Sequence, residues 1–147
     1  MKKVKKFLSM RFFMQLLFIE AFFYLGLARF LKALPFNKVA PTLGSKRHET
    51  ALIHKAENED LIKDISLAIQ TMSRHTFWES KCLVMAIAGM KMLEKRGIES
   101  TLYLGTAKNN EGKFIAHAWL RSGPFYISGA ETMRHFTVVE TFGKQVM

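Results

Sequence analysis

The sequence predicts an α+β fold in which helices precede and cover a small antiparallel sheet. Three observations support this prediction: a long apolar stretch opens the chain, a helix rich in leucine and methionine ends near Gly97, and short strand-like segments separated by turns follow that glycine. With 147 residues, of which 49% are hydrophobic and 23% charged, the chain has enough apolar residues for one core. We therefore expect one compact domain, with hydrophobic helices in residues 1–44 and the main core in residues 45–147.

The N-terminal segment carries four lysines among its first six residues and is then apolar over residues 12–30. It lacks a good signal-peptidase site, so export is not expected. The segment barely reaches the ~20 apolar residues of a membrane span, and Glu20 near its middle would be costly in lipid. A buried helix and a helix lying on a bilayer surface both fit the pattern. We expect a cytoplasmic protein, with membrane association left as an open alternative.

Two more helices are predicted before the sheet. Apolar residues at helical spacing predict a helix over residues 49–72. A further helix is expected over residues 81–95, with Ser80 as its N-terminal cap and Gly97 as its stop signal.

The second half of the chain is predicted to form four strands. Residues 109–112 and the pair Ser122-Gly123 are expected to form turns. If Ser122-Gly123 is a two-residue turn, Arg121 pairs with Pro124 and His117 lies opposite Ser128. The predicted strands cover residues 101–104, 113–121, 125–128 and 136–142.

Charge and cysteine content limit the partners of the protein. Its 22 Lys and Arg residues exceed its 12 Asp and Glu residues, which gives a net charge of +10 and favours acidic partners or a membrane surface. No zinc-finger spacing or RNA-binding signature is present, so we expect no nucleic-acid partner. A single cysteine excludes an internal disulfide and is compatible with a reducing compartment. No cofactor and no metal site are predicted, since no pair of histidines has zinc-ligand spacing.

Cys82 lies in the first turn of the helix predicted over residues 81–95. Free backbone N–H groups and the positive end of the helix dipole favour a thiolate there, and Lys81 adds positive charge. The same N–H groups can stabilise the oxyanion formed when a thiolate attacks an acyl group. The alternative is that Cys82 is a small apolar residue packed at a helix start.

His117 lies in an apolar strand, residues 114–120, where an ionisable ring needs a partner. One interpretation is a core histidine bonded to a backbone carbonyl, and the other is a general base for Cys82. In the second case Ser128 could orient the ring, although a carboxylate or amide usually has this role. Glu131 is an alternative orienting residue if the following loop folds back.

Three short motifs resemble one known family. They are residues 78–83 around Cys82, the pair Leu104-Gly105, and residues 116–120 around His117. Together they resemble the lasso-peptide leader peptidases, which are transglutaminase-like cysteine proteases. The resemblance implies a transglutaminase/papain-like core in residues 45–147, with Cys82 as nucleophile and His117 as general base and acid.

The resemblance also implies a substrate and partners. The substrate would be a ribosomal precursor peptide, cut between leader and core, and the core would pass to a separate macrolactam synthetase. Because the chain is too short to contain a leader-recognition domain as well, a separate leader-recognition protein is implied. The family commonly has an aspartate at the place that aligns, with a one-residue gap, with Ser128.

Two other functions fit the sequence. The same site could transfer an acyl group to an amine, as transglutaminases do. Alternatively, the protein could be a non-catalytic membrane-surface binding protein anchored by its basic, aromatic N-terminal helix.

Overall fold

The structure consists of helices and an antiparallel sheet. It is a computed structural model that describes residues 5, 8, 11–53 and 55–145. Of the four N-terminal lysines, Lys2, Lys3 and Lys6 lie outside the described residues. The predicted combination of helices and antiparallel strands is confirmed, including an apolar N-terminal helix. The helices are α1 (Phe12–Ala33), α2 (Phe36–Val39), α3 (Glu59–Met72) and α4 (Cys82–Lys95), and the strands are β1 (Ser45–Lys46), β2 (Ser100–Lys108), β3 (Phe114–Ser122), β4 (Phe125–Ser128) and β5 (Thr137–Lys144).

The sheet has the order β1-β5-β2-β3-β4, with all neighbours antiparallel. The turn predicted at residues 109–112 joins β2 to β3. Asn109 forms this turn because its Oδ1 accepts hydrogen bonds from the backbone N–H groups of Glu111 at 2.9 Å and Lys113 at 3.0 Å. Gly112 adopts a φ of 76°, which favours glycine.

The turn between β3 and β4 differs from the prediction by one residue. Ser122 pairs with Phe125, so the turn residues are Gly123 and Pro124. Proline has no N–H group to donate to the strand ladder, and Gly123 has a φ of 55° that suits a tight hairpin. The predicted pairing of Arg121 with Pro124 is therefore wrong, and Arg121 pairs with Tyr126.

A bulge further shifts the register of β4. Ser128 pairs with Leu120 and the register changes between Leu120 and Arg121. The prediction that Ser128 lies opposite His117 is therefore wrong by three positions along β3. Pairing between β3 and β4 ends at Leu120, so beside His117 the outer edge of β3 has no strand partner.

The helices form two layers on one face of the sheet. Helices α3 and α4 contact the strands, and α1 packs against both of them. Gly89 of α4 lies directly against β3 and β4, because a Cβ atom there would be 2.8 Å from Leu120 Cδ2 and 3.3 Å from Ile127 Cγ2. The Ser66 hydroxyl of α3 donates to the Ile127 carbonyl at 2.7 Å. The N-terminal helix thus shares one hydrophobic core with the rest of the chain.

The helix predicted over residues 49–72 begins only at Glu59. Thr50, which the prediction placed in the helix, bonds to the sheet instead: its N–H donates to Thr101 Oγ1 at 2.8 Å, and its carbonyl accepts from Arg121 Nη2 at 2.9 Å. Tyr103 donates its hydroxyl proton to Glu49. Burial, together with this hydrogen bond, raises the pKa of Tyr103 to about 12, which keeps the hydroxyl protonated as a donor.

A half-buried ion pair joins α1 to the end of α4. Arg96 Nη1 and Nη2 each lie 2.7 Å from a Glu20 carboxylate oxygen, and Arg96 also donates to the Met92 carbonyl. The hydrogen bonds from Arg96 lower the pKa of Glu20, against the opposing effect of burial. A carboxylate with a lowered pKa stabilises the fold above its unfolded-state pKa, and this contribution is lost as the pH falls through the folded-state pKa.

We expect Glu20→Gln to lower the free energy of unfolding by about 1 to 3 kcal/mol, because the Arg96 charge loses its partner. Urea unfolding near neutral pH measures this difference. As the pH falls through the range below 4.5, the ordinary pKa of a glutamate, the gap between wild type and variant should shrink, since the wild-type carboxylate becomes protonated. Glu79→Gln is the matched control, because Glu79 pairs with Lys32 at the surface and should change stability less. A gap that stays constant over that pH range would contradict the prediction.

Candidate active site

Cys82 is the first residue of α4, as predicted. The predicted capping role of Ser80 is wrong: Lys81 is the N-cap residue, in an extended conformation, and no side chain caps the helix. Ser80 instead shares a 2.8 Å hydrogen bond between its hydroxyl and that of Thr76. The backbone N–H groups of the first turn are therefore not occupied by a capping side chain, which suits an anion at this helix end.

The Cys82 thiol is half-buried and free, and it packs against the edge of the core. Lys81 beside it is largely exposed and its Nζ lies 3.9 Å from Glu79 Oε2. Cysteines that react need both partial exposure and a positive environment. The thiol is partly exposed, and Lys81 places a positive charge next to it in sequence, although this charge also pairs with Glu79.

The direction of α4 can be read from the connection to the sheet. After Gly97 the chain enters β2, where Thr101 pairs with Arg121 near the end of β3. The Ser122 hydroxyl also donates to the Glu99 carbonyl at 2.7 Å. The end of α4 and the end of β3 are thus close, so the two elements run in the same direction.

The contact between α4 and β3 gives a reference point for both Cys82 and His117. Gly89 lies against Leu120, and Cys82 is seven residues earlier, or about 10 Å along a helix. His117 is three residues before Leu120, which is also about 10 Å along a strand. Cys82 and His117 each lie about 10 Å before the contact between Gly89 and Leu120, Cys82 along the helix and His117 along the strand.

His117 is held by its ring nitrogen and by aromatic stacking. Its Nε2 lies 2.7 Å from the Gly129 carbonyl oxygen and 3.3 Å from Thr132 Oγ1. The ring stacks on Trp119 and Phe136, with centroid distances of 5.7 and 4.9 Å. A carbonyl can only accept, so Nε2 carries the proton in the neutral ring and Nδ1 is left as the acceptor. This tautomer can receive a proton from a thiol.

Alternation along β3 separates the residues that contact α4 from His117. Leu120 contacts Gly89, whereas His117 shares its face of the strand with Trp119. Between the described side chains of Cys82 and His117 no hydrogen bond forms. Groups on different faces of a strand can meet only around its edge, and β4 does not pair with β3 at the level of His117.

Within the described residues, neither of the two predicted orienting residues hydrogen-bonds to His117. Ser128 is buried and its hydroxyl has no hydrogen-bond partner within the described part of the chain. Glu131 lies exposed in a 3₁₀ turn, Ala130–His135. The residue between them, Gly129, supplies the ring's hydrogen-bond acceptor from its main chain.

Only glycine fits at position 129. Its φ is 77°, and a Cβ atom there would lie 2.5 Å from the Ala118 carbonyl oxygen and 2.9 Å from Trp119 Cβ. The close approach of this turn to β3 is what brings the Gly129 carbonyl to the imidazole. Sequence reasoning missed it because a carbonyl belongs to every residue type. The glycine directly after the strand was the one available signal.

A cavity and a possible metal site are the other features to consider. A cavity of about 320 Å³ is lined by residues including Ile62, Ile98 and Ser122, but by neither Cys82 nor His117. Over the described ranges, no group of three His, Cys, Asp or Glu side chains is arranged to hold a metal ion. Among the described residues, Cys82 and His117 thus remain the candidate nucleophile and base, at separate positions in the structure.

The family model of the transglutaminase-like superfamily matches residues 21–141, which include both Cys82 and His117. The chain belongs to this superfamily, whose members include cysteine peptidases and acyl transferases and are generally cysteine-dependent enzymes. No curated protein and no solved structure matches the chain.

Proposed function

We propose that the protein is a cysteine peptidase that removes the leader from a ribosomal precursor peptide during lasso-peptide maturation. The observation that carries the proposal is a thiol at an uncapped helix start, in a transglutaminase-like chain that also has a histidine whose Nε2 is hydrogen-bonded to a main-chain carbonyl. The sequence motifs around Cys82 and His117 support the narrower choice of a leader peptidase.

In the proposed reaction, Nδ1 of His117 accepts the proton of the Cys82 thiol, and the thiolate attacks the carbonyl carbon of the leader–core peptide bond. Backbone N–H groups at the start of α4 stabilise the oxyanion. The C–N bond then breaks, His117 gives its proton to the leaving amine of the core, and the leader remains as a thioester on Cys82. His117 deprotonates a water molecule that hydrolyses this thioester and frees the leader carboxylate.

The proposal requires the thiol and the imidazole to approach each other when substrate binds. Catalytic hydrogen bonds are often long in enzymes without substrate and tighten in the complex. The role of the Gly129 carbonyl is to hold the ring and fix its tautomer. Being neutral, it offsets the charge of an imidazolium less than a carboxylate does.

We further propose that the precursor is presented by a separate leader-recognition protein and that the core then passes to a macrolactam synthetase. The basic character of the chain, with a net charge of +10, favours association with acidic segments of such partners.

The test combines the purified protein with a precursor peptide and its leader-binding protein, followed by mass spectrometry. We expect two products whose masses sum to that of the precursor plus one water. The same reaction with an added primary amine distinguishes hydrolysis from acyl transfer. If the main product is a crosslink or an amine adduct, the protein is an acyl transferase and not a peptidase. An intact precursor in the presence of the partner would overturn both.

A further inference from the structure

One side of α1 is apolar and faces solvent. Its side chains recur at intervals of three or four residues, so they form a continuous stripe along the helix. Each is between 44% and 72% exposed, and soluble monomers rarely expose apolar patches of this extent without using them for binding. The stripe, called the α1 stripe below, consists of Phe12, Leu16, Ile19, Phe23, Leu27 and Phe30.

The opposite side of α1 is packed inside the protein. Leu17, Ala21, Leu25 and Ala28 are at most 1% exposed and belong to the shared hydrophobic core. By length and composition α1 could cross a membrane, yet 33% of its apolar window is buried. Crossing would separate this side from α3 and α4. Contact through the stripe alone leaves the core intact.

Charge around the stripe is complementary to an anionic surface. Glu20 is the one acidic residue of α1, and both its carboxylate oxygens are bonded to Arg96. Exposed Lys5 and Arg11 lie before α1, and exposed Lys38 lies after it. Basic residues flanking an apolar, aromatic helix face are attracted to anionic lipid headgroups. The same net charge of +10 opposes association with a second copy of the chain.

We propose that the α1 stripe docks the protein on the surface of an anionic lipid bilayer, with α1 lying parallel to the membrane plane. The phenylalanine rings enter the region between headgroups and acyl chains, and the basic residues contact the headgroups. This docking is independent of the proposed peptidase activity, since neither Cys82 nor His117 belongs to the stripe.

The test is co-sedimentation of the full chain with vesicles of phosphatidylglycerol and phosphatidylcholine in equal amounts, compared with phosphatidylcholine alone. We expect binding to the anionic vesicles that weakens as salt is added. Phe23→Ser combined with Phe30→Ser should reduce the partition coefficient roughly hundredfold, because the variant loses the favourable free energy of transferring two phenylalanine rings from water to lipid. Phe114→Ser is the matched control, because Phe114 is 74% exposed on the sheet. It should bind like wild type.

Unaltered binding by the double variant would overturn the proposal, as would the absence of binding to anionic vesicles. Light scattering compares the oligomeric states of the two proteins. A dimeric wild type and a monomeric double variant would also overturn the proposal, because the stripe would then be a contact between two copies of the chain. Phe23→Trp keeps an apolar ring and covers the case in which the double variant misfolds. Its added fluorescence should shift to shorter wavelength on anionic vesicles, and an unchanged spectrum would contradict docking.

Discussion

Cys82→Ala should abolish leader cleavage, with a loss on the order of 10⁶-fold in kcat, as expected when a covalent nucleophile is removed. Without the sulfur no thioester forms, and water alone must attack the peptide bond. The change deletes one atom from a half-buried position at the edge of the core. The fold and the melting temperature should therefore change little.

The single thiol of the chain makes this prediction easy to check. Because Cys82 is the sole cysteine, mass spectrometry after treatment with iodoacetamide reports directly on it, and alkylation should stop cleavage in proportion to the labelled fraction. Cys82→Ser preserves the size of the side chain and should be almost as inactive as Cys82→Ala. Cleavage at an unchanged rate by fully alkylated protein would remove Cys82 from the mechanism.

His117→Ala should lower kcat by about 10² to 10⁴-fold, the usual contribution of a general acid and base. Since the ring also stacks on Trp119 and Phe136, His117→Phe is the better variant: it preserves an aromatic ring and removes both nitrogens. We expect equal losses of activity in the two variants. A normal rate for His117→Phe would reduce the role of His117 to packing.

The positioning role of Gly129 can be tested in the same assay. Gly129→Ala introduces a Cβ atom against the Ala118 carbonyl and should displace the acceptor of His117. The expected result is a lower kcat with little change in KM, because the substrate contacts are unaffected. Ser128→Ala is the adjacent control, since its hydroxyl has no partner, and it should cleave at the normal rate. A slow Ser128→Ala together with a normal Gly129→Ala would reverse this assignment.

The elements predicted correctly are those defined by local patterns. The helix α4 was predicted to within one residue because its leucines, methionines and alanines end at Gly97, which adopts the φ of 70° expected of a stop residue. The turn after β2 was predicted because Asn109 bonds its own neighbours. In both cases the residues that decide the structure are adjacent in sequence.

One error arises where distant residues decide. The apolar spacing before Glu59 predicted a helix, but the Arg121 guanidinium, about seventy residues further along, binds the Thr50 carbonyl and ties that residue to the sheet. Periodicity contains no information on such contacts. The error in the pairing of Ser128 has a local cause instead: Pro124 lacks an N–H, which moved the turn by one position, and the bulge between Leu120 and Arg121 shifted the register further.

The candidate site was predictable in part for the same reason. Cys82 and His117 were found because a thiol at a helix start and an imidazole in an apolar strand are unusual residue types in those places. Their orienting partner could not be found by residue type, because it is a backbone oxygen. Residue type pointed instead to Ser128 and Glu131, neither of which hydrogen-bonds to His117 within the described residues.

An imidazole held by the peptide backbone depends on the integrity of a bend in the chain. The bond from His117 Nε2 ends on Gly129, directly before the short 3₁₀ segment that contains Thr132. Fraying of that segment would release the imidazole long before the whole molecule melts. Thermal inactivation would then precede global unfolding, and a ligand that clamps the segment would extend the working temperature range.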